Sequence, residues 1–253
     1  MSRSLSQEES SALLRQQALD DRLSPQPGAK LYLHLSDLRV VLDKVRTDEP
    51  LRILDYGCGG SPYRSLFPKA EYLRADLGGM SDLDFIIDPG KPLAAPDASF
   101  DLIFSTQVLE HVEDPMFYLS ECRRMLKPGG VLALSTHGTF PDHGAPWDFQ
   151  RWTPHGLERD VRNAGFEIDT TWRLTSGPRA MLQLWELTME KLACDNSLFG
   201  IIFKALRWFT RRKRPAFHAW ADRQLADYRV AGGADAPAHR LYLGLMVLAR
   251  VPR

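Results

Sequence analysis

The chain of 253 residues is poor in cysteine, with only Cys58, Cys122 and Cys194, no CxxC pair and no even set to bridge. A disulfide framework and a cysteine-rich zinc site are thereby excluded as organising features, and a reducing, cytoplasmic setting is the expectation. Excess charge of either sign is also missing: 32 basic side chains balance 32 acidic ones. A general nucleic-acid binder is disfavoured on that balance. No long apolar run exists; the longest apolar neighbourhood, residues 198–209, is interrupted by Lys204 and Arg207, too short for a span. The opening MSRSLSQEESSALL has no charged start followed by an apolar core, so no signal peptide is expected.

What is present is alternation. Leu31, Leu35, Leu38 and Leu42 recur at helical spacing. From residue 51 the period changes to short apolar runs, each ending in polar residues or glycine: 51–55, 71–75, 83–87, 101–105, 131–136, 166–172 and 241–250. Between the fourth and fifth, Phe117, Cys122, Met125 and Leu126 suit one helix face that KPGG at 127–130 stops. Ser61 and Pro62 are placed to cap and open a helix after the first run. The pattern predicts an α/β fold with a mostly parallel seven-stranded sheet covered by helices on both faces. It divides into a helical cover at 1–50, a core at 51–172, a helical insertion at 173–239 and a last strand within 240–253. The 67 residues from 173 to 239 are too many for a plain loop. Leu182, Trp185, Met189 and Leu192 share a helical face there, and 198–212 and 217–229 read as two more helices.

Ligands of such sheets bind beyond the carboxyl ends of the strands, which directs attention to ILDYGCGGSPY at 53–63. Gly57 and Gly59 permit a sharp turn and a close ligand. Asp76 ends the second strand, 21 residues after Asp55, where a carboxylate can accept both hydroxyls of a ribose. The dinucleotide fingerprint would need a third glycine at 62, where Pro62 stands, and no GK[ST] follows for a phosphate loop. A nicotinamide-dependent oxidoreductase is therefore the second reading.

Four separated pieces, ILDYGCGG, Asp76 ending YLRAD, SFDLIFSTQVLEHV and RRMLKPGGVLALST, arrive in an order that resembles the class I S-adenosylmethionine-dependent methyltransferases of the type 11 branch. The resemblance covers about 51–172 and the last strand. It implies S-adenosylmethionine as cofactor, with Asp55 near the methionine amino end and Gly57 and Gly59 beneath the cofactor. It also implies Asp76 on the ribose, Asp88 at the adenine edge, and Ser105, Thr106 and Gln107 beneath the methionine portion. Glu110 and His111 of LEHV then read as packing and hydrogen-bonding residues. A small-molecule acceptor follows, methylated at a hydroxyl of a carbohydrate-like or natural-product compound, with a non-catalytic interaction subunit as a further alternative.

Methyl transfer needs an in-line approach and exclusion of water, plus a base when the acceptor is a hydroxyl. His137, directly after the fifth strand, is the preferred base and His143 the second; both could instead order the loop or bind substrate. Trp147, Phe149, Arg151 and Trp152 could line an acceptor pocket or anchor the loop 137–153. His137, His143 and His155 with Asp142 and Asp148 suggest metal ligands, but no recognised zinc spacing occurs, so no metal is expected. Residues 204–214 carry six basic side chains and no acid beside an apolar helical face. That makes 198–214 a candidate for peripheral contact with an anionic inner-membrane surface or for a homo-oligomer interface.

Overall fold

The computed structural model describes residues 16, 17, 19–79, 82–191, 197–232 and 240–253. Helix α1 (Tyr32–Val45) precedes strand β1 (Arg52–Tyr56), then come β2 (Glu71–Leu77), β3 (Phe85–Ile87) and β4 (Phe100–Thr106). Helix α2 (Pro115–Met125), β5 (Leu126–His137), α3 (Pro154–Asn163) and β6 (Glu167–Ser176) complete the alternating part. Helices α4 (Gly177–Lys191) and α5 (Leu198–Gln224) follow, then β7 (Val230–Gly232) and β8 (Tyr242–Arg250).

The strands form one sheet in the order β3-β2-β1-β4-β5-β8-β6-β7. Neighbours from β3 through β5 pair in parallel, whereas β8 runs antiparallel to both β5 and β6, and β7 antiparallel to β6. The sheet is thus mixed and mostly parallel, with eight strands among the described residues rather than seven. The additional strand, β7, is three residues of the stretch read as helical insertion; it is short because only Trp172, Arg173 and Leu174 offer it a partner edge. Strand β6 also continues to Ser176, past the predicted end at 172, because β8 is long enough to pair with it to Tyr242.

Three helical expectations change. After Ser61 and Pro62 only a single 3-10 turn forms, Arg64–Leu66, and Ser61 adopts φ 53, outside any helix cap. The two helices expected at 198–212 and 217–229 are one helix, α5, that continues through Pro215. The proline removes one ladder bond, and side chains on either side of it hold the helix in place. Arg214 Nη2 lies 2.6 Å from Glu190 Oε1, and His218 Nε2 donates to Glu186 at 3.0 Å while its Nδ1 accepts from the Gly28 amide at 3.0 Å. Helix α4 presents an unexpected face: it buries Arg179, Gln183 and Glu186 and leaves Met181 and Trp185 exposed. Leu192 and the return loop 233–239 lie outside the described residues.

The inward face of α4 is polar because it meets polar partners on α1. Asp37, fully buried, accepts from Arg179 at 2.7 and 2.9 Å, from Arg229 at 2.9 Å and from the Thr175 hydroxyl at 2.9 Å. Removing one member of such a set would leave a buried charge uncompensated. Around the sheet, Leu54, Phe100, Ile103 and Leu132 anchor one core cluster and Leu38, Ile53, Phe104 and Met246 another, one for each group of covering elements. Among the described residues, no helix is long and apolar enough to cross a membrane.

Candidate active site

The carboxyl ends of β1, β2, β4 and β5 bring together most of the residues singled out from sequence. At β1 the chain turns through Gly57 at φ 84, and both Gly57 and Cys58 donate their amides to the Ala75 carbonyl, at 2.9 and 3.0 Å. A side chain at Gly57 would place its Cβ 2.5 Å from a Val108 methyl, so the turn requires glycine for space as well as for φ. Gly59, at φ 50, has open space where a Cβ would stand. Its amide donates to Asp76 Oδ2 at 2.6 Å, and Asp76 Oδ1 accepts from the Leu77 amide at 2.7 Å. Asp76 therefore fixes the glycine turn itself, at the position expected to meet a ribose.

Asp55 is buried and accepts from the Tyr72 hydroxyl at 2.6 Å. Burial raises its carboxyl to about 7, against the opposing pull of that hydrogen bond. Asp88 stands exposed beyond β3, 2.5 Å from Lys91 Nζ. Ser105, expected beneath the methionine portion, is fully buried; its hydroxyl shares a 2.8 Å hydrogen bond with Tyr118, whose own hydroxyl donates to the Tyr56 carbonyl at 3.0 Å. Its side chain thus supports β4 from inside. Gln107 takes φ 56 as the chain leaves β4, and its side-chain nitrogen lies 2.6 Å from His34 Nε2.

Beyond β4 and β5 the chain collects histidines around one carboxylate. Glu110 is fully buried in a 3-10 turn, Leu109–His111, that precedes α2. Its Oε2 accepts from the Thr136 hydroxyl at 2.8 Å, and its Oε1 lies 3.2 Å from His137 Nε2. The His137 ring is buried beneath Phe140, stacked at 4.1 Å between centroids, and stands 4.8 Å from the His143 ring and 5.5 Å from that of His34. Burial, followed by the neighbouring histidines, holds His137 well below the usual imidazole range. Burial likewise lowers His34 to about 3 and lowers His143. Burial is the first cause in all three cases.

The loop after β5 is held by its own side chains. Arg151 donates to both Asp148 oxygens, at 2.6 and 2.8 Å, and to the Phe140 carbonyl at 3.1 Å. Asp148 is kept far below the usual carboxylate range chiefly by that guanidinium. His111 Nδ1 contacts the Trp147 carbonyl. Trp152, expected to touch substrate, is instead core: its indole donates to Asp160 at 3.1 Å and its amide to the His137 carbonyl at 3.1 Å. Arg151 is committed to the loop and Trp152 to the core, whereas Trp147 is exposed, and none of the three lines the neighbouring cavity. The cavity beside the histidines, about 410 Å³, is lined by Lys30, Leu31, Phe140, Pro141, Asp142, His143, Leu187 and Thr188. His143 lines it and His137 does not. Lys30, Leu31, Leu187 and Thr188 were missed from sequence because they come from the segment before α1 and from α4, far from any strand end.

The methyltransferase domain family matches residues 54–134. A ubiquinone biosynthesis O-methyltransferase of Parvibaculum lavamentivorans is 34% identical over 179 residues, covering 58% of this chain and 70% of that protein. Its counterpart in Cereibacter sphaeroides is 36% identical over 131 residues, 43% of this chain and 52% of that protein, so the match spans about half the length of that relative. Among solved structures, the cyclase SpnF superposes with a TM-score of 0.55 at 21% identity, covering 100% of this chain and 98% of that one. A possible histamine N-methyltransferase from Thermotoga maritima does so at 0.53 and 16% identity, covering 94% and 96%. These two likenesses establish the fold. A cyclase among them also shows that the fold does not dictate the reaction. With the glycine turn, Asp55 and Asp76 at the ends of β1 and β2, and relatives matched over more than two thirds of their length, the chain belongs to the class I S-adenosylmethionine-dependent methyltransferases related to the ubiquinone biosynthesis O-methyltransferases.

Proposed function

We propose that the protein transfers the methyl group of S-adenosylmethionine to a hydroxyl oxygen of a small, partly apolar molecule held in the cavity beside His143. The observation that carries this reading is the adjacency of that cavity to the Glu110, His137 and His143 cluster, at the same sheet end as Asp55 and Asp76. Relatives named for ubiquinone biosynthesis O-methylation support oxygen as the acceptor atom. The acceptor oxygen would attack the methyl carbon in line with the sulfonium, with the carbon–sulfur bond breaking to leave the thioether and the hydroxyl proton passing to the Glu110, His137 and His143 cluster. Asp55, Gly57, Gly59, Asp76, Asp88 and Gln107 would hold the cofactor. His143, which reaches the cavity, is the member that meets the acceptor; His137 supports it from behind Phe140.

The test is a two-stage one. Calorimetry should show S-adenosylmethionine and S-adenosylhomocysteine binding without comparable binding of NAD. Mass analysis should then find one added methyl group on hydroxyl acceptors drawn from phenolic and carbohydrate panels. Methylation confined to amines, or cofactor binding with no product from any acceptor, would sink the oxygen reading.

Helix α5 supports a second, peripheral role. Leu198, Phe199, Ile201, Ile202 and Trp208 are each more than half exposed along a helix that also carries Lys204, Arg207, Arg211, Arg212 and Lys213. Apolar surface flanked by cations suits an anionic bilayer surface. Flotation with anionic but not neutral vesicles is expected; a dimer in solution that hides the same face would replace this reading.

A further inference from the structure

Among the described residues, eight buried side-chain atoms have no hydrogen-bond partner, and three of them belong to one cluster: Glu110 Oε1, His137 Nδ1 and His143 Nδ1. Buried polar atoms are nearly always satisfied, so Glu110 Oε1, which only approaches His137 Nε2 at 3.2 Å, needs a physical reason; the orphan His137 Nδ1 lies on the other side of its ring from that approach. One ligand atom from each of these residues lies within 4.8 Å of the other two. The Glu110 to His137 edge, at 3.2 Å, already matches the separation of two atoms bound about 2.0–2.2 Å from one ion. The longer edges involve His143, whose side chain is 34% exposed on the loop after β5.

We infer that Glu110, His137 and His143 form a binding site for one divalent transition-metal ion, of the zinc or manganese class, whose open side faces the cavity. Two imidazoles and one carboxylate are the donor set of borderline metals; calcium and magnesium prefer oxygen ligands alone. Surrounding groups orient each donor, as in metal sites generally. The Thr136 hydroxyl holds the second oxygen of Glu110, Phe140 fixes the His137 ring, and Asp148, itself clamped by Arg151, stands 3.5 Å from His143 Nδ1. Three protein ligands with one side open is the pattern of catalytic rather than structural ions. The site is not legible as a spacing motif because its ligands come from the turn after β4, the end of β5 and the loop beyond.

If the methyl-transfer reading holds, such an ion would bind the acceptor oxygen from the cavity side and acidify its hydroxyl, the role assigned above to the cluster. Ion binding itself is measured without acceptor or cofactor, so the two ideas fail separately. Untagged protein, stripped with chelator and dialysed, is titrated with zinc and with manganese by calorimetry. Bound metal is counted by elemental analysis, and cobalt is added for its visible spectrum. One ion per chain is expected, with a cobalt spectrum of a low-coordinate nitrogen and oxygen site. His143→Ala, on a half-exposed side chain that leaves the core intact, should weaken binding by about 10²-fold or more, and Glu110→Gln similarly. His155→Ala, on an exposed helical position, should bind as wild type. Absence of stoichiometric binding in the wild type, or equal affinity in wild type, His143→Ala and Glu110→Gln, would overturn the inference. An ion bound as expected with no methylated product would leave it standing and count against the methyl-transfer reading alone.

Discussion

Two neighbouring parts of the carboxyl end of the sheet handle their polar groups in opposite ways. At the ends of β1 and β2, Asp55 is paired with Tyr72 and Asp76 with the amides of Gly59 and Leu77, so the protein satisfies these carboxylates from its own chain. At the ends of β4 and β5, Glu110, His137 and His143 each retain a buried atom with no partner. An unpaired buried donor or acceptor costs about 1–3 kcal/mol. The lesson is that the two regions of this one sheet end are built differently: one is preorganised by internal bonds, the other keeps polar atoms unpaired at a cost in stability.

The contrast can be broken most severely at Gly57. Gly57→Ala adds a Cβ at 2.5 Å from Val108 and forces a positive φ on alanine. Together these should cost about 3 kcal/mol or more in stability and abolish S-adenosylmethionine binding, read by thermal unfolding and calorimetry. Unimpaired binding would show that the turn does not cradle the cofactor.

Asp55 sharpens the comparison through pH. Its carboxyl is raised from 3.8 to about 7 in the folded protein, so below about pH 4 both states are protonated and there is no penalty. As pH rises from 4 to 7 the unfolded state releases its proton first and stability falls, and above 7 the full cost is present. Asp55→Asn keeps an acceptor for Tyr72 and should therefore unfold at higher denaturant than wild type at pH 8, by about 3 kcal/mol. The gap should close by pH 4, while cofactor affinity drops. A gap that widens toward low pH would mean that Asp55 is charged in the fold.

Next in size, Asp76→Ala should weaken cofactor binding by about 2–3 kcal/mol, since it removes both the acceptor of the Gly59 amide and the expected acceptor of the ribose hydroxyls. Binding within a factor of two of wild type would remove Asp76 from the site. The smallest effect is expected in the loop beyond β5. Trp152→Phe should cost about 1 kcal/mol by losing the bond to Asp160, with acceptor KM unchanged, because the ring packs in the core and not in the cavity. A raised KM without lost stability would restore Trp152 as a substrate contact.

How much was legible follows from how local the signals are. The strand runs, the glycine turn and the carboxylates at 55 and 76 depend on neighbours close in sequence, and the family resemblance reached them directly. Long-range contact decided the remainder. Leu182, Trp185 and Met189 share a helical face as read, with Met189 buried and Trp185 exposed, while α4 also turns Arg179, Gln183 and Glu186 inward because Asp37, the Lys30 carbonyl and His218 meet them. The stretches 198–212 and 217–229 read as two helices, whereas α5 runs through Pro215 with Arg214 and His218 anchored to Glu190 and Glu186 on either side of it. Trp152 and Ser105 sit at the right strand ends but point into the core, an orientation that spacing alone does not give. Glu110 was read with His111 as a packing and hydrogen-bonding residue; that histidines 27 and 33 residues away would gather at its carboxylate carries no mark in the sequence.

The buried Asp37 also bears on how the molecule is made. Its partners Arg179 and Arg229 lie 142 and 192 residues farther along the chain. During synthesis from the amino end, α1 leaves the ribosome with an uncompensated carboxylate in what will be its most enclosed turn, long before either guanidinium exists. The strands from β1 to β5 can pair in the meantime through contacts that are nearer in sequence. The apolar side of α1 has partners much nearer in sequence, since Leu38, Val41 and Leu42 pack with Ile53 and Phe104, so it is the pairing of Asp37 alone that must wait for residues 179 and 229.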